Sequence, residues 1–376
     1  MHVGTSRTRT AATATGVLAA AAAIVAAGLA SSQATTLRAT ATPAAAHSCV
    51  SNVGGTGLSA AVVAHKGQRI ADRTIATHCD IGIYVGSSAK HVRINGVTIT
   101  GAHFQGILAE NTAYLSVSNS VIRDNGLQTI DPKAPPLPGS GVHSYVGQAF
   151  GISLFGVTHT RIRGNHVSGN GRGGIGVMDN GANNPGALKQ NPKAPLRGSS
   201  DVVIVQNSLR ANYNGCAIVV ATQNLGGHLS NVVIRNNTIR GVGMTQTGPD
   251  IGGIVIAADL PNSSVTDAIV SDNKVIRSFE GGVIVNSEAP GAHTNNIVVT
   301  GNQLRRNNFG KQEAPHTAGV VIFAAPAPGT ANRLVVVAGN SMSGQFYGIW
   351  SSGSNGLRAF GNHISVIGNG VRVFRS

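Results

Sequence analysis

One short pattern recurs along most of the chain. An asparagine is followed two residues later by an apolar side chain, between two short runs rich in Val and Ile. It occurs at Asn95, Asn119, Asn165, Asn207, Asn237, Asn273, Asn302, Asn340 and Asn362. In the clearest copy, Asp201–Gly215, the runs Val202–Val205 and Ser208–Arg210 meet at Asn207. A polar turn at Asn212–Gly215 follows, and Ile218–Val220 supplies a third run. A unit this small cannot bury its own apolar residues. Repeated, it must stack on its neighbours, so the chain reads as one elongated array.

The third run has its own signature, a Gly (or Ala) followed by apolar, any residue, apolar. It recurs at Gly82–Val85, Gly106–Ala109, Gly151–Leu154, Gly174–Val177, Ala217–Val220, Gly253–Ile256, Gly282–Val285, Gly319–Ile322 and Gly348–Ser351. Short β-branched runs punctuated by Gly and Asn, with no long amphipathic helical pattern, predict an all-β protein. The 50 glycines and the 11% charged residues agree with that. Successive key asparagines are 24, 46, 42, 30, 36, 29, 38 and 22 residues apart. The excess over the shortest unit falls only just after or just before the glycine-led run. The bend that carries the asparagine never lengthens, which predicts that it is buried in a stack.

These features resemble the right-handed parallel β-helix, the pectate-lyase-like architecture, from about Gly82 to the C-terminus. The resemblance implies a single-stranded solenoid of about ten coils in which the asparagines form a hydrogen-bonded ladder. Asn suits that place because it tolerates left-handed backbone and both donates and accepts. An N-terminal cap is expected over 47–79, as an irregular first coil, with the regular helix over 80–376. A cap is needed because an open end exposes strand edges and apolar surface.

Residues 1–46 read as a targeting segment. Arg7 and Arg9 precede the apolar, Ala-rich Gly16–Ala30, and small-residue cleavage sites end at Ala34 or Ala46. The expectation is a secreted or cell-surface protein with no transmembrane span in the mature chain. The formal charge of +14 favours anionic wall polymers and acidic polysaccharides as partners. No fingerprint points to a specific nucleic acid, and no P-loop, dinucleotide, Ser-His-Asp or zinc motif occurs. In an oxidising compartment Cys49 and Cys79 are expected to pair across the cap. Cys216 is expected to be a buried thiol.

The resemblance implies a groove lined by the glycine-led runs and walled by Asn125–Ala149 and Asp179–Ser200. The outward columns are, first, Tyr84, Leu108, Ser153, Gly176, Val219, Val255, Ile284, Val321 and Trp350. The second holds Gly86, Glu110, Phe155, Met178, Ala221, Ala257, Asn286, Phe323 and Ser352. They are mostly apolar, whereas polysaccharide lyases, hydrolases or uronate epimerases need placed acids and bases. Polar residues gather instead at the run exits, where Asn180, Gln223, Asp259 and Glu288 follow in consecutive coils. Asp259 and Glu288, one coil apart, could share a proton, hold Ca²⁺ or act as an acid/nucleophile pair. Asp179 and Glu110 form a looser pair. His143 and Tyr145 could overhang the groove. Arg210, Arg240 and Arg305 share one outward position, with Arg123, Arg277 and Arg306 read as one residue further on. Such a stripe could hold an anionic polymer. Two readings follow: a carbohydrate-active protein, or a non-catalytic structural or adhesive module.

Overall fold

The computed structural model describes residues 48–127, 150–184, 186–212, 215–243, 251–308 and 318–374. Three parallel sheets, here A, B and C, wind as a right-handed β-helix. Among the described residues they hold eleven, eleven and ten strands. Each coil contributes one strand to each sheet in the order A, B, C. Coils are numbered by their A strand: Ala60–Val63 (coil one), Ile81–Val85, Gln105–Glu110, Phe150–Phe155, Gly173–Met178 (five), Ile218–Ala221, Ile254–Ala258, Val283–Ser287, Ala318–Ala324 and Tyr347–Ser352 (ten). Val371–Phe374 adds a last A strand.

All nine glycine-led runs lie in sheet A, in the register that the repeat predicts. Tyr84 pairs with Leu108, Ser153 with Gly176, Val219 with Val255, and Val321 with Trp350. The leading glycine sits at a crowded corner. At Gly106 a Cβ would fall 2.5 Å from Ile122 Cγ2 and 2.6 Å from the Gly151 carbonyl oxygen. Inward residues of the three sheets, such as Ile107, Ile162 and Leu209, form one continuous core of fully buried β-branched and leucine side chains.

The helix begins one coil earlier than expected. Ala60–Val63, Arg69–Ala71 and Thr74–Ala76 pair in parallel with the coil above, so the first coil is regular. The cap is smaller: an antiparallel bridge from Val50 to Ala60 and a 3₁₀ turn at Val53–Gly55. Cys49 and Cys79 are joined by a disulfide.

The bend from sheet B to sheet C holds two residues in coils four to ten, for example Gly164-Asn165 and Gln206-Asn207. Its second residue is the rung of the ladder. The Asn165 amide donates to Asn207 Oδ1 at 2.9 Å, and Asn207 to Asn237, Asn237 to Asn273 and Asn273 to Asn302, each at 3.0 Å. Asn302 donates to Asn340 at 2.9 Å and Asn340 to Asn362 at 3.0 Å. Each accepting Oδ1 also takes the backbone N–H of the asparagine before it, as at Asn207 N to Asn237 Oδ1, 2.9 Å. The side chain thus satisfies donors that the tight bend would otherwise strand.

Asn95 and Asn119 stand outside this ladder. The rung positions in their coils are Val97 and Ser120: Asn165 Oδ1 accepts the Ser120 N–H, and Ser120 Oγ accepts the Val97 N–H. Asn119 is exposed and bonds Asn95 Oδ1 at the surface. The run Asn-Ser-Val-Ile satisfies the asparagine-to-apolar spacing in one frame while the stack uses the next. A second, shorter ladder fills the C-to-A bend, where Asn125 donates to Asn170 and Asn170 to Asn212.

Asn237→Ala is expected to strand the buried Asn207 N–H and to cost about 2–4 kcal/mol by chemical denaturation. Asn119→Gly, matching Gly96 and Gly164 in the flanking coils, is expected to change stability by less than about 0.5 kcal/mol.

Candidate functional site

The bend from sheet A to sheet B is free to lengthen, and polar side chains concentrate there. Parallel pairing holds the strands to their ends: Ala257 pairs with Asn286 and Ala258 with Ser287. Asp259 and Glu288 are the next residues, and the Glu288 N–H donates to the Ala258 carbonyl at 3.0 Å. The two acids therefore stand side by side in coils seven and eight. Their environments differ. Asp259 is half-buried, and its Oδ1 is sealed from solvent with no hydrogen-bond partner among the described residues. Glu288 is exposed and accepts a short hydrogen bond from the Asn286 amide.

Burial pushes the Asp259 carboxyl up to about 8, and the charge of Glu288 adds to the rise. Arg172 opposes it, and Asp179 contributes a smaller increase. Asp259 is thus a neutral acid at pH 7 beside an exposed carboxylate. Arg172 lies just before the coil-five A strand, with its guanidinium carbon 5.9 Å from the centre of the Phe150 ring. Burial pulls it below its ordinary value, while Cys216 and Asp259 act the other way. Among the described residues no carboxylate forms a salt bridge with it. Cys216 is half-buried and packs on the outer face of sheet A beside Val219.

Asp179 is fully buried beneath this site. It accepts the Gln223 N–H and the Asn224 side-chain amide, the latter at 2.8 Å. Burial raises its carboxyl and these hydrogen bonds lower it, with a net rise. Its geometry is that of a bracket for the Gln223-Asn224 turn. Beside it lies a cleft of about 330 Å³ whose lining includes Asn183, Leu196, Gln223, Asn224, Leu225 and Leu260. Asn180 is buried, and its backbone pairs with Arg197 across the base of the long loop.

Glu110 is not part of the cluster. It accepts hydrogen bonds from the Tyr84 hydroxyl at 3.0 Å and from the Asn184 amide. Burial raises both Glu110 and Tyr84. Together with Gln105 Nε2 to the Gly186 carbonyl, and Leu188 and Lys189 N–H to the Thr56 carbonyl, this contact straps the loop after Asp179 over the first coils. The apolar outward residues Tyr84, Leu108, Phe155 and Met178 are buried there in a second core. Their apolar character is that of packed protein, not of an open groove. His143 and Tyr145 lie outside the described residues.

The arginine row runs on the exposed face of sheet C. Arg210 pairs directly with Arg240, and Ile276 separates Arg240 from Arg305. Arg123 stands in this same column, one coil from Ser168, rather than one residue further on. Arg277 and Arg306 do follow their column residues, in left-handed backbone. Among the described residues no group of three or more metal-ligating His, Cys, Asp or Glu side chains occurs. No helix among them is long and apolar enough to cross a membrane.

Asp259 and Glu288 stand one residue beyond a register-locked strand, so their adjacency was legible from the spacing. Arg172 and Asn224, which sit in bends of variable length, were missed. Asn286 did carry a signal, as the polar member of an otherwise apolar outward column.

The chain matches the family described as right handed beta helix region over residues 59–265, and it belongs to that family. No curated protein matches it. Among solved structures, the Dettilon tailspike protein aligns at 16% identity and TM-score 0.54, over 82% of this chain and 55% of the tailspike. The mannuronan C-5 epimerase A-module of Azotobacter vinelandii aligns at 15% identity and TM-score 0.49, over 87% of this chain and 88% of the module. A family 28 exopolygalacturonase of Yersinia enterocolitica aligns at 11% identity and TM-score 0.46, over 79% of this chain and 47% of that enzyme. The chain thus spans about half the length of the tailspike and of the exopolygalacturonase. At these identities the likeness is one of fold.

The folded protein holds the Asp259 proton up to about pH 8, whereas the ordinary value is 3.8. Between those values the folded state binds more protons, so stability falls as pH rises through the window. Buried Glu110 and Asp179 act with the same sign. Thermal unfolding of the wild type and of Asp259→Asn from pH 5 to 9 is expected to show the variant gaining on the wild type with pH. A constant offset would contradict the shift.

Proposed function

We propose that the protein acts on an acidic polysaccharide outside the cell, cleaving or remodelling it at the Asp259–Glu288 pair. The carrying observation is the division of labour between two neighbouring carboxyls, one neutral at pH 7 and one exposed. Asp259 is suited to donate its proton to a glycosidic oxygen as the bond to the leaving sugar breaks. Glu288 stands one strand spacing away, about 4.8 Å along the helix axis. That closeness favours the geometry in which the second carboxylate attacks the sugar, rather than the wider one that admits a water between the pair. Arg172, lacking a salt bridge among the described residues, suits a sugar carboxylate, which a guanidinium binds through two parallel hydrogen bonds. A 330 Å³ cleft lined by Gln223, Asn224 and Leu260, the residue after Asp259, supplies room for a sugar. Two carboxylates alone are a thin ligand set for Ca²⁺, which takes six to eight oxygens, so the reading routes no step through the ion. The leader would be removed on export, after Ala34 or Ala46.

A second reading rests on the exposed arginines of sheet C. A non-catalytic shaft could hold an anionic wall polymer along Arg123, Arg210, Arg240 and Arg305.

The test is turnover of acidic and neutral polysaccharides by the mature protein, with and without Ca²⁺. Asp259→Asn is expected to lower turnover of an acidic substrate by about 10²–10⁴-fold, and the wild-type rate is expected to fall above about pH 8. Arg172→Gln is expected to raise KM for acidic substrates only. No turnover, with salt-sensitive binding that weakens in Arg210→Gln/Arg240→Gln, would favour the shaft.

A further inference from the structure

In or just before its sheet B strand, each of coils two to nine places one residue in left-handed backbone. In coils five to eight that residue is Asp201, Asn231, Asp267 and Asn296, with φ between 54° and 58°. Asp and Asn are the residue types that adopt this conformation most cheaply. In coils two to four the same position carries His91, Tyr114 and His159, with φ of 61°, 59° and 49°. The register fixes the equivalence: Arg93 pairs with Ser116, Ser116 with Arg161, and Arg161 with Val203, two residues past each. His, like Asn and Asp, is enriched in this region, but a bulky Tyr is an outlier there, and such strain collects where function requires it. Coil nine carries Leu334 at φ 49° in the same column, so the fold accepts several residue types here and it is their mutual stacking that sets the three rings apart.

The three rings form an exposed stack. Tyr114 lies 4.5 Å from His91, with planes 2° apart, and 4.9 Å from His159, with planes 20° apart. With both of its faces covered, the 49% exposure of Tyr114 belongs to its edge. His91 looks past the stack onto Gly67, where a Cβ would meet nothing within 4 Å. His159 ends the stack with its Nδ1 3.3 Å from an Asp201 carboxylate oxygen. Two residues along the same strands, roughly 6–7 Å away at the strand rise, runs a column of exposed arginines. It holds Arg69, Arg93 and Arg161, with Ser116 between the last two.

We propose that this face of sheet B is a second binding surface, for a uronate-bearing glycan, apart from the Asp259 cleft. The arginine column takes carboxylates bidentately. The polar ring edges meet sugar hydroxyls, and the bare face of His91 takes a pyranose ring. A single-stranded nucleic acid would need free ring faces for successive bases, and these rings spend their faces on one another.

The test uses the mature Asp259→Asn protein, so that no turnover interferes, and titrates it with oligogalacturonate and with its carboxyl-reduced form. In His91→Asn/Tyr114→Asn/His159→Asn, which restores the residue types of the later coils, oligogalacturonate binding is expected to weaken about tenfold. The Tm is expected to hold or rise. Arg93→Gln/Arg161→Gln is expected to erase the preference for the acidic form. A lower Tm with unchanged affinity would make the stack an internal brace and overturn the proposal. Binding lost only in Arg172→Gln would assign the ligand to the cleft and overturn it too. Tighter binding of an oligothymidylate than of oligogalacturonate would do the same.

Discussion

Everything regular in this molecule depends on one hydrogen-bonding problem in the bend between sheets B and C. Two residues must turn the chain inside a stack where water does not reach. The backbone N–H at the corner then has only the next coil to bond to. An asparagine there solves the problem twice, since its oxygen takes the N–H of the coil before and its amide reaches the oxygen of the coil after. A buried donor left unmade costs more than a hydrogen bond gains, so from coil four upward the rung stays asparagine and the bend keeps its length. Coil four and those above it inherit their register from it.

Fixing one bend confines variation to the other two, and the chemistry follows the variation. The bend after sheet A carries Asp259 and Glu288, the cleft beside them and the long loop after Asp179. That loop reaches back to Glu110, Gln105 and Thr56 and buries the outer face of the first coils. The buried carboxyls Glu110 and Asp179 therefore serve structure. Glu110 and Asp179 are fully used by amide and hydroxyl partners, whereas Asp259 keeps an oxygen without one.

The fold was largely legible from residue spacing, because a period-two strand pattern and an invariant bend leave few alternatives. The outward columns of sheet A emerged in their observed register for the same reason. Ambiguity entered where two frames both fit. Asn119-Ser120-Val121-Ile122 offers either Asn119 or Ser120 as the rung, and only packing chooses Ser120. The arginine column slipped by one residue at Arg123, because a third strand of three residues has little alternation to read. The candidate site was half legible. Asp259 and Glu288 lie one step from paired strands, but Arg172 reaches the outer face from a bend whose length no repeat constrains. Apolar outward residues spoke against an open groove, and the strapped loop explains them.

On the proposed reading, Asp259, Glu288 and Arg172 form one site for an acidic sugar chain. A crystal structure of Asp259→Asn soaked with an oligouronate tests it most directly. The expected result is a sugar carboxylate on the Arg172 guanidinium and a glycosidic oxygen facing residue 259, with Glu288 across the bond. An oligosaccharide found only on the sheet C arginines, with the cleft empty at saturating concentration, would contradict the claim.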